Sequence, residues 1–179
     1  ITKDFAPTVY PLQWNKGDGC IYFNTNDEDC RNIYRYSPQT KKFEKLNLET
    51  DVTSAFALSE NNPSIAAYIG QSNHNAGVAY LYDMKKKTSR LLADPMKPIL
   101  DEIELGKTEP WNFTASDGTT IQGMMCLPPN FDPNKKYPLI VYYYGGTTPT
   151  ERGISNPYCA QLFASRDYVV YVINPSGTI

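Results

Sequence analysis

The sequence is poor in histidine and has no closely spaced pair of cysteines. His74 is the one histidine. The four cysteines form no Cys-x-x-Cys motif, and they are Cys20, Cys30, Cys126 and Cys159. A zinc site of the usual Cys/His type is therefore not expected, and we predict neither a metal nor another cofactor. Cys20 and Cys30 would pair only in an exported protein, so the sequence leaves their state open, with free thiols as the favoured alternative.

The chain also lacks an excess of positive charge and a long apolar run. Its net charge is −2 and its pI is near 5.4. Binding to nucleic acid is therefore not expected, because it depends on clustered Lys and Arg. The short run Lys85-Lys86-Lys87 is interpreted as a solvated turn. No apolar run approaches the roughly 20 residues of a membrane helix, so no membrane segment is predicted.

The sequence begins with Ile1 rather than Met. We therefore expect it to be cut from a longer polypeptide, in which case a missing signal peptide says nothing about the compartment.

The most informative stretch that is present is an apolar strand that ends at two glycines. Leu139–Tyr144 has no polar interruption, which is typical of a strand covered on both faces of a parallel sheet. Gly145 and Gly146 give the backbone freedom where the chain leaves the sheet. Asn156-Pro157 then predicts the start of a helix, and Tyr168–Ile173 predicts a second strand. The order of these elements predicts a βαβ unit.

The first half contains a weak repeat with an offset of 46 positions. This offset relates Tyr34 to Tyr80, Tyr22 to Tyr68, and Leu46 to Leu92. Alternating apolar and polar residues predict strands in both units. The predicted strands are Cys20–Asn24, Ile33–Tyr36, Phe43–Leu46, Ile65–Ile69, Val78–Tyr82 and Ser89–Leu92. The unit has the size of a β-propeller blade, although propellers need roughly 4–8 blades and this chain has about two. The alternative is a separate antiparallel β domain with accidental repetition.

A connector and a hairpin join the two halves. Residues 93–109 contain Pro95 and Pro98 and show no sustained period, so we predict a linker with a short strand at Ile99–Leu105. Next, Asp117-Gly118 separates two alternating runs, which strongly indicates a tight β-hairpin.

Together these features resemble the prolyl oligopeptidase family of serine peptidases, most of all its dipeptidyl peptidase IV branch. The likeness rests on the Ser116–Thr119 hairpin and on Tyr137–Val141 followed by Tyr144-Gly145-Gly146. It implies a mixed fold. Residues 1–98 would be the last blades, about two, of an incomplete antiparallel β-propeller. Residues 99–179 would be the truncated N-terminal portion of an α/β-hydrolase domain.

The resemblance assigns one catalytic residue to this chain. Tyr144 matches the family's tyrosine that donates its hydroxyl to the oxyanion hole, and one such donor is expected from the loop after this strand. The alternative is that Tyr144 only packs, as Tyr142 or Tyr143 would. The Ser-His-Asp triad is not expected in this chain, because no Gly-x-Ser-x-Gly occurs and Ser176 lacks the first half of that motif. His74 is interpreted as a solvated loop residue.

The implied function is that of part of a serine peptidase that hydrolyses short peptides by acyl transfer. The partner would be a peptide substrate, the family allows a homodimer of the parent protein, and it favours a periplasmic or secreted location. One motif departs from the family. The loop Asn174–Gly177 lacks the arginine of the usual Asp/Asn-x-Arg-Gly. Alternatives are an α/β-hydrolase esterase, a catalytically dead relative, and a propeller-type binding module without catalysis.

We predict that the 179-residue chain alone has no peptidase activity, because it lacks the triad. Incubation of the purified chain with a chromogenic dipeptide measures this. Turnover above the blank would contradict the prediction.

Overall fold

The computed structural model describes residues 5–146, 148–155 and 159–175, which form two β-sheets and two short helices. The strands of the first sheet are β1 Thr8–Asn15, β2 Cys20–Asp27, β3 Cys30–Ser37, β4 Lys42–Lys45, β5 Val52–Leu58, β6 Ile65–Gln71, β7 Val78–Asp83 and β8 Thr88–Ala93. The strands of the second sheet are β9 Thr108–Pro110, β10 Phe113–Thr114, β11 Thr120–Cys126, β12 Leu139–Tyr143 and β13 Val169–Asn174. The helices are α1 Lys97–Leu100 and α2 Ala160–Ala164.

The first sheet consists of two successive antiparallel units of four strands, β1–β4 and β5–β8. They meet where β3 and β5 pair in parallel at Arg31 and Val52. We call this meeting point the seam. The predicted repeat is therefore confirmed, with four strands in each unit, of which the sequence patterns located three. The sequence missed β1 and β5, because a register shift in each strand breaks the alternation on which the prediction depends.

A core of aromatic and aliphatic side chains joins the two units. Tyr22, Ile33, Tyr68 and Tyr82 are at most 2% exposed and belong to one cluster. The repeat partners Tyr22 and Tyr68 thus occupy the same core, but Leu46 and Leu92 do not behave alike. Leu46 is buried, whereas Leu92 is 49% exposed and lies at the register shift between β7 and β8.

The connector contains a helix where a strand was predicted. Lys97–Leu100 forms α1, with Pro98 in its first turn and Lys97 paired to Asp101 at 2.8 Å. The predicted strand at Ile99–Leu105 is therefore wrong. The predicted domain boundary after residue 98 falls within this helix, and its position stays a prediction.

The predicted hairpin is confirmed and is longer than expected. β9 and β10 both pair with β11 in one register, so residues 108–114 form one arm. Gly118 has φ +85 in the turn, and the Asp117 carboxylate accepts a hydrogen bond from the Thr119 amide at 2.9 Å. Gly123 leaves room for the Tyr171 ring, whose hydroxyl donates to the Trp111 carbonyl at 2.9 Å.

β12 and β13 pair in parallel, as the predicted βαβ unit requires. The predicted burial of the first strand on both faces is wrong, since Leu139 is 57% exposed and Tyr143 is 68% exposed. β12 lies at the edge of the described sheet, and α2 packs its buried Ala164 against Cys126 and Val170 instead. The predicted helix start at residues 156–157 lies outside the described residues.

Neither helix in the described part of the chain is long and apolar enough to cross a membrane.

Candidate functional site

Tyr144 lies directly after β12, on a cleft of about 440 Å³ between the two sheets. Its side chain is 48% exposed. Arg31 and Gln71 line the cleft from the first sheet, and Glu151 and Gly153 line it from the loop after β12. None of the described residues forms a hydrogen bond with the Tyr144 hydroxyl. The phenol is therefore available to a molecule in the cleft.

The position of the Tyr144 ring depends on Gly146. A Cβ at residue 146 would lie 2.2 Å from a Tyr144 ring carbon and 2.7 Å from its hydroxyl oxygen. Real Cβ atoms do not approach other atoms so closely, so the ring lies in space that only glycine leaves open. Gly145 differs, because nothing lies within 4 Å of a Cβ built there.

The loop of residues 148–155, here called the cleft loop, is tied to the second sheet at Asn174. The Thr150 amide donates to Asn174 Oδ1 at 2.7 Å, and Asn174 Nδ2 donates to the Thr150 carbonyl at 3.2 Å. Since Asn174 ends β13, beside the carboxyl end of β12, this pair of bonds holds the loop over the end of the sheet that carries Tyr144.

Two ion pairs tie the cleft loop to the first sheet. Arg152 binds Asp29 through both carboxylate oxygens, at 2.9 and 2.6 Å, and its amide donates to the Asp29 carbonyl at 3.0 Å. Arg31 contacts Glu151 at 2.5 Å. Burial opposes the charge of Arg152, but the hydrogen bond and the charge of Asp29 raise the pKa of its guanidinium. The guanidinium therefore stays charged.

Two further contacts come from the other unit of the first sheet. The Ile154 amide donates to the Ser72 carbonyl at 2.9 Å, and the Ser155 amide donates to Gln71 Oε1 at 3.1 Å. Asp29 and Gln71 belong to different units, so the cleft loop spans the seam.

The other residues considered from the sequence form no catalytic group. His74 is exposed, and its Nδ1 lies 3.2 Å from the hydroxyl of Ser72, which is 3% exposed and so unable to reach a substrate. Ser176 lies outside the described residues. No group of three or more His, Cys, Asp or Glu side chains suited to a metal ion occurs in the described residues.

All four cysteines are free thiols, so Cys20 and Cys30 do not pair in this structure. Burial, with a smaller contribution from the Asp29 carboxylate, raises the pKa of Cys30 to about 12. Burial likewise raises the pKa of Cys126 to about 11. Such thiols carry little thiolate at neutral pH and are poor nucleophiles.

Sequence reasoning missed the residues that anchor the cleft loop. Asp29 and Arg152 are 123 positions apart, and no local pattern relates them. Sequence analysis singled out Asn174 only as the first residue of the loop Asn174–Gly177, which lacks the arginine of the family motif. Its position at the end of a predicted strand was the one available indication of a role at the sheet edge.

Comparisons with known proteins relate the whole chain to peptidases. It is 26% identical over 178 residues to dipeptidyl-peptidase 5 of Porphyromonas gingivalis, covering 99% of this chain and 26% of that protein. It is 26% identical over 191 residues to dipeptidyl peptidase 4 of Trichophyton rubrum, covering 99% of this chain and 24% of that protein. The acylaminoacyl peptidase of Pyrococcus horikoshii matches in structure with a TM-score of 0.79 and 21% identity, covering 98% and 26% of the two chains.

No family model matches the chain. It spans about a quarter of the length of these curated relatives. The resemblance to peptidases of the prolyl oligopeptidase type, with dipeptidyl peptidases among its sequence relatives, is confirmed. The mixed, mostly β architecture matches that of these peptidases.

We predict that Gly146→Ala moves the Tyr144 ring out of its present position, whereas Gly145→Ala leaves it in place. The added methyl group would overlap the ring in the first variant and meets open space in the second. Spectra of ring-labelled tyrosine, with Tyr144 assigned by a Tyr144→Phe variant, measure the change. Equal shifts of the Tyr144 resonance in both variants would contradict the prediction.

Proposed function

We propose that this chain is part of a serine peptidase that cleaves short peptides by acyl transfer. The proposal is supported by the peptidase relatives that match nearly the whole chain and by the fold that it shares with a solved peptidase. Because the chain spans about a quarter of these relatives, the activity is proposed for the longer protein. The serine, histidine and aspartate of the triad would come from outside these 179 residues.

In this proposal the first sheet supplies about two blades of a β-propeller, and the second sheet begins an α/β-hydrolase domain. Two features support the assignment. The first sheet repeats a four-stranded antiparallel unit, and the second combines an antiparallel hairpin with a parallel β12–β13 pair. A peptide would then bind in the cleft between the sheets.

The observation that carries the proposal is the position of the Tyr144 phenol. It lies at the carboxyl end of a parallel strand and lines a cleft, with no hydrogen bond to the described residues. In acyl transfer, the carbonyl oxygen of the scissile bond becomes an oxyanion as the nucleophile attacks. A hydroxyl already held beside that oxygen donates a hydrogen bond that strengthens as the charge develops, and this lowers the barrier.

The remaining parts of the proposal concern the parent protein. Its substrate would be a peptide, and a homodimer is compatible with the family. A periplasmic or secreted location follows from the resemblance alone, and a signal peptide at the start of the full-length protein would support it.

We predict that Tyr144→Phe in the full-length protein lowers kcat about 10²–10³-fold and changes KM little, as expected for loss of one oxyanion donor. The phenylalanine keeps the ring and removes only the hydroxyl. Steady-state hydrolysis of a chromogenic dipeptide measures both constants.

Tyr143→Phe is the matched control, because Tyr143 is the adjacent tyrosine, is 68% exposed and does not line the cleft. It should retain the parental kcat. An unchanged kcat in Tyr144→Phe would rule out the donor role.

A further inference from the structure

Six of the eight residues of the cleft loop line the cleft that Tyr144 also lines. Arg152 is not one of them, since it lies between Glu151 and Gly153 but binds Asp29. The wall of the cleft formed by Glu151 and Gly153 therefore depends on Arg152, whose ion pair lies outside the lining of the cleft.

The ion pair of Asp29 and Arg152 is strong for a contact between two sheets. The guanidinium binds the carboxylate through two nitrogens, and a backbone hydrogen bond joins the same two residues. The side chain of Asp29 is only 13% exposed and that of Arg152 is 24% exposed. Losing one partner would leave the other charge largely out of water, which costs far more than breaking an exposed pair.

Fewer contacts fix the position of the backbone around Tyr144 than fix that of Arg152. β12 is an edge strand with three of its five side chains exposed, and the Tyr144 ring rests against Gly146. The chain between Tyr144 and Arg152 is attached to the second sheet at Thr150, and the first described attachment to the other sheet is at Glu151 and Arg152. Arg152 is two positions from Thr150, so a movement of Arg152 would disturb the two bonds by which Thr150 holds the loop to Asn174, beside the end of the strand that carries Tyr144.

We propose that Arg152 is a positioning residue for Tyr144, and that the first sheet, through Asp29, sets the geometry of the oxyanion site. This inference rests on the proposed function, since it assumes that Tyr144 donates to the oxyanion. It assigns the propeller-like sheet a part in the chemical step, in addition to any part in enclosing the substrate.

A double-mutant cycle in the full-length protein tests the inference. Arg152→Ala should lower kcat about 10–10²-fold, because a displacement of about 1 Å at a reacting group has effects of this size. In a Tyr144→Phe background the same change should lower kcat less than about twofold, since the donor is already gone. Arg152→Lys keeps the charge but not the two-point contact, so it should give an intermediate kcat.

Rates are expressed per active site, counted by titration with a serine-directed phosphonate, so that loss of folded protein does not count as loss of kcat. Arg35→Ala is the matched control, because Arg35 also pairs with two carboxylates of the first sheet, Asp18 and Glu44, but does not touch the cleft loop. Its kcat should equal that of the parent.

The outcomes separate the two proposals. If Tyr144→Phe leaves kcat unchanged, the proposed function of Tyr144 fails. If Tyr144→Phe lowers kcat but Arg152→Ala costs the same factor with and without the Tyr144 hydroxyl, or costs nothing, only the positioning role is overturned. The positioning role is supported if Arg152→Ala lowers kcat strongly when the Tyr144 hydroxyl is present and little when it is absent.

Discussion

The contact on which the junction between the two described sheets depends most is the ion pair between Asp29 and Arg152. Without it, the two sheets would be joined mainly by the connector with its single-turn helix, by the ion pair of Arg31 and Glu151, and by a few hydrogen bonds at Gln71 and Ser72. The pair is largely withdrawn from water and is formed at two points, so it fixes an orientation as well as a distance. The neighbouring pair of Arg31 and Glu151 adds a second link across the same junction.

This junction fixes the position of one half of the chain relative to the other. The first sheet is held by its own aromatic core, and the second by the hairpin and the parallel pair. The cleft exists only where the loop after β12 reaches across to the seam of the first sheet. A peptide bound there would contact both sheets, which agrees with the proposal that substrate lies between a propeller and a hydrolase domain.

Local patterns predicted the elements well where alternation was regular. Tyr22 and Tyr68 marked equivalent core positions, and Asp117-Gly118 marked the hairpin turn. The same reasoning missed β1 and β5, whose register shifts interrupt the pattern, and it proposed a strand where Pro98 starts a helical turn. It also overestimated the burial of β12, because an apolar run does not reveal whether a strand lies at the edge of a sheet.

The candidate site was predictable in part. Tyr144 was singled out by the family resemblance, together with its place at the carboxyl end of a predicted parallel strand, and the structure does put this residue on a cleft. The anchoring residues were not predictable, since contacts between Asp29 and Arg152 arise only when the two sheets dock. The role of Gly146 was equally hidden, because a sequence shows a glycine but not the ring that occupies its missing side chain.

In the proposed mechanism the Tyr144 hydroxyl faces the oxygen on which negative charge develops. A crystal structure of the full-length protein with a peptide boronic acid bound at its serine would show this contact, since the boronate mimics the tetrahedral intermediate. We expect the Tyr144 hydroxyl at about 2.7–3.1 Å from the boronate oxygen in the oxyanion position. A structure in which other groups bind that oxygen, with the Tyr144 phenol turned away from the adduct, would contradict it.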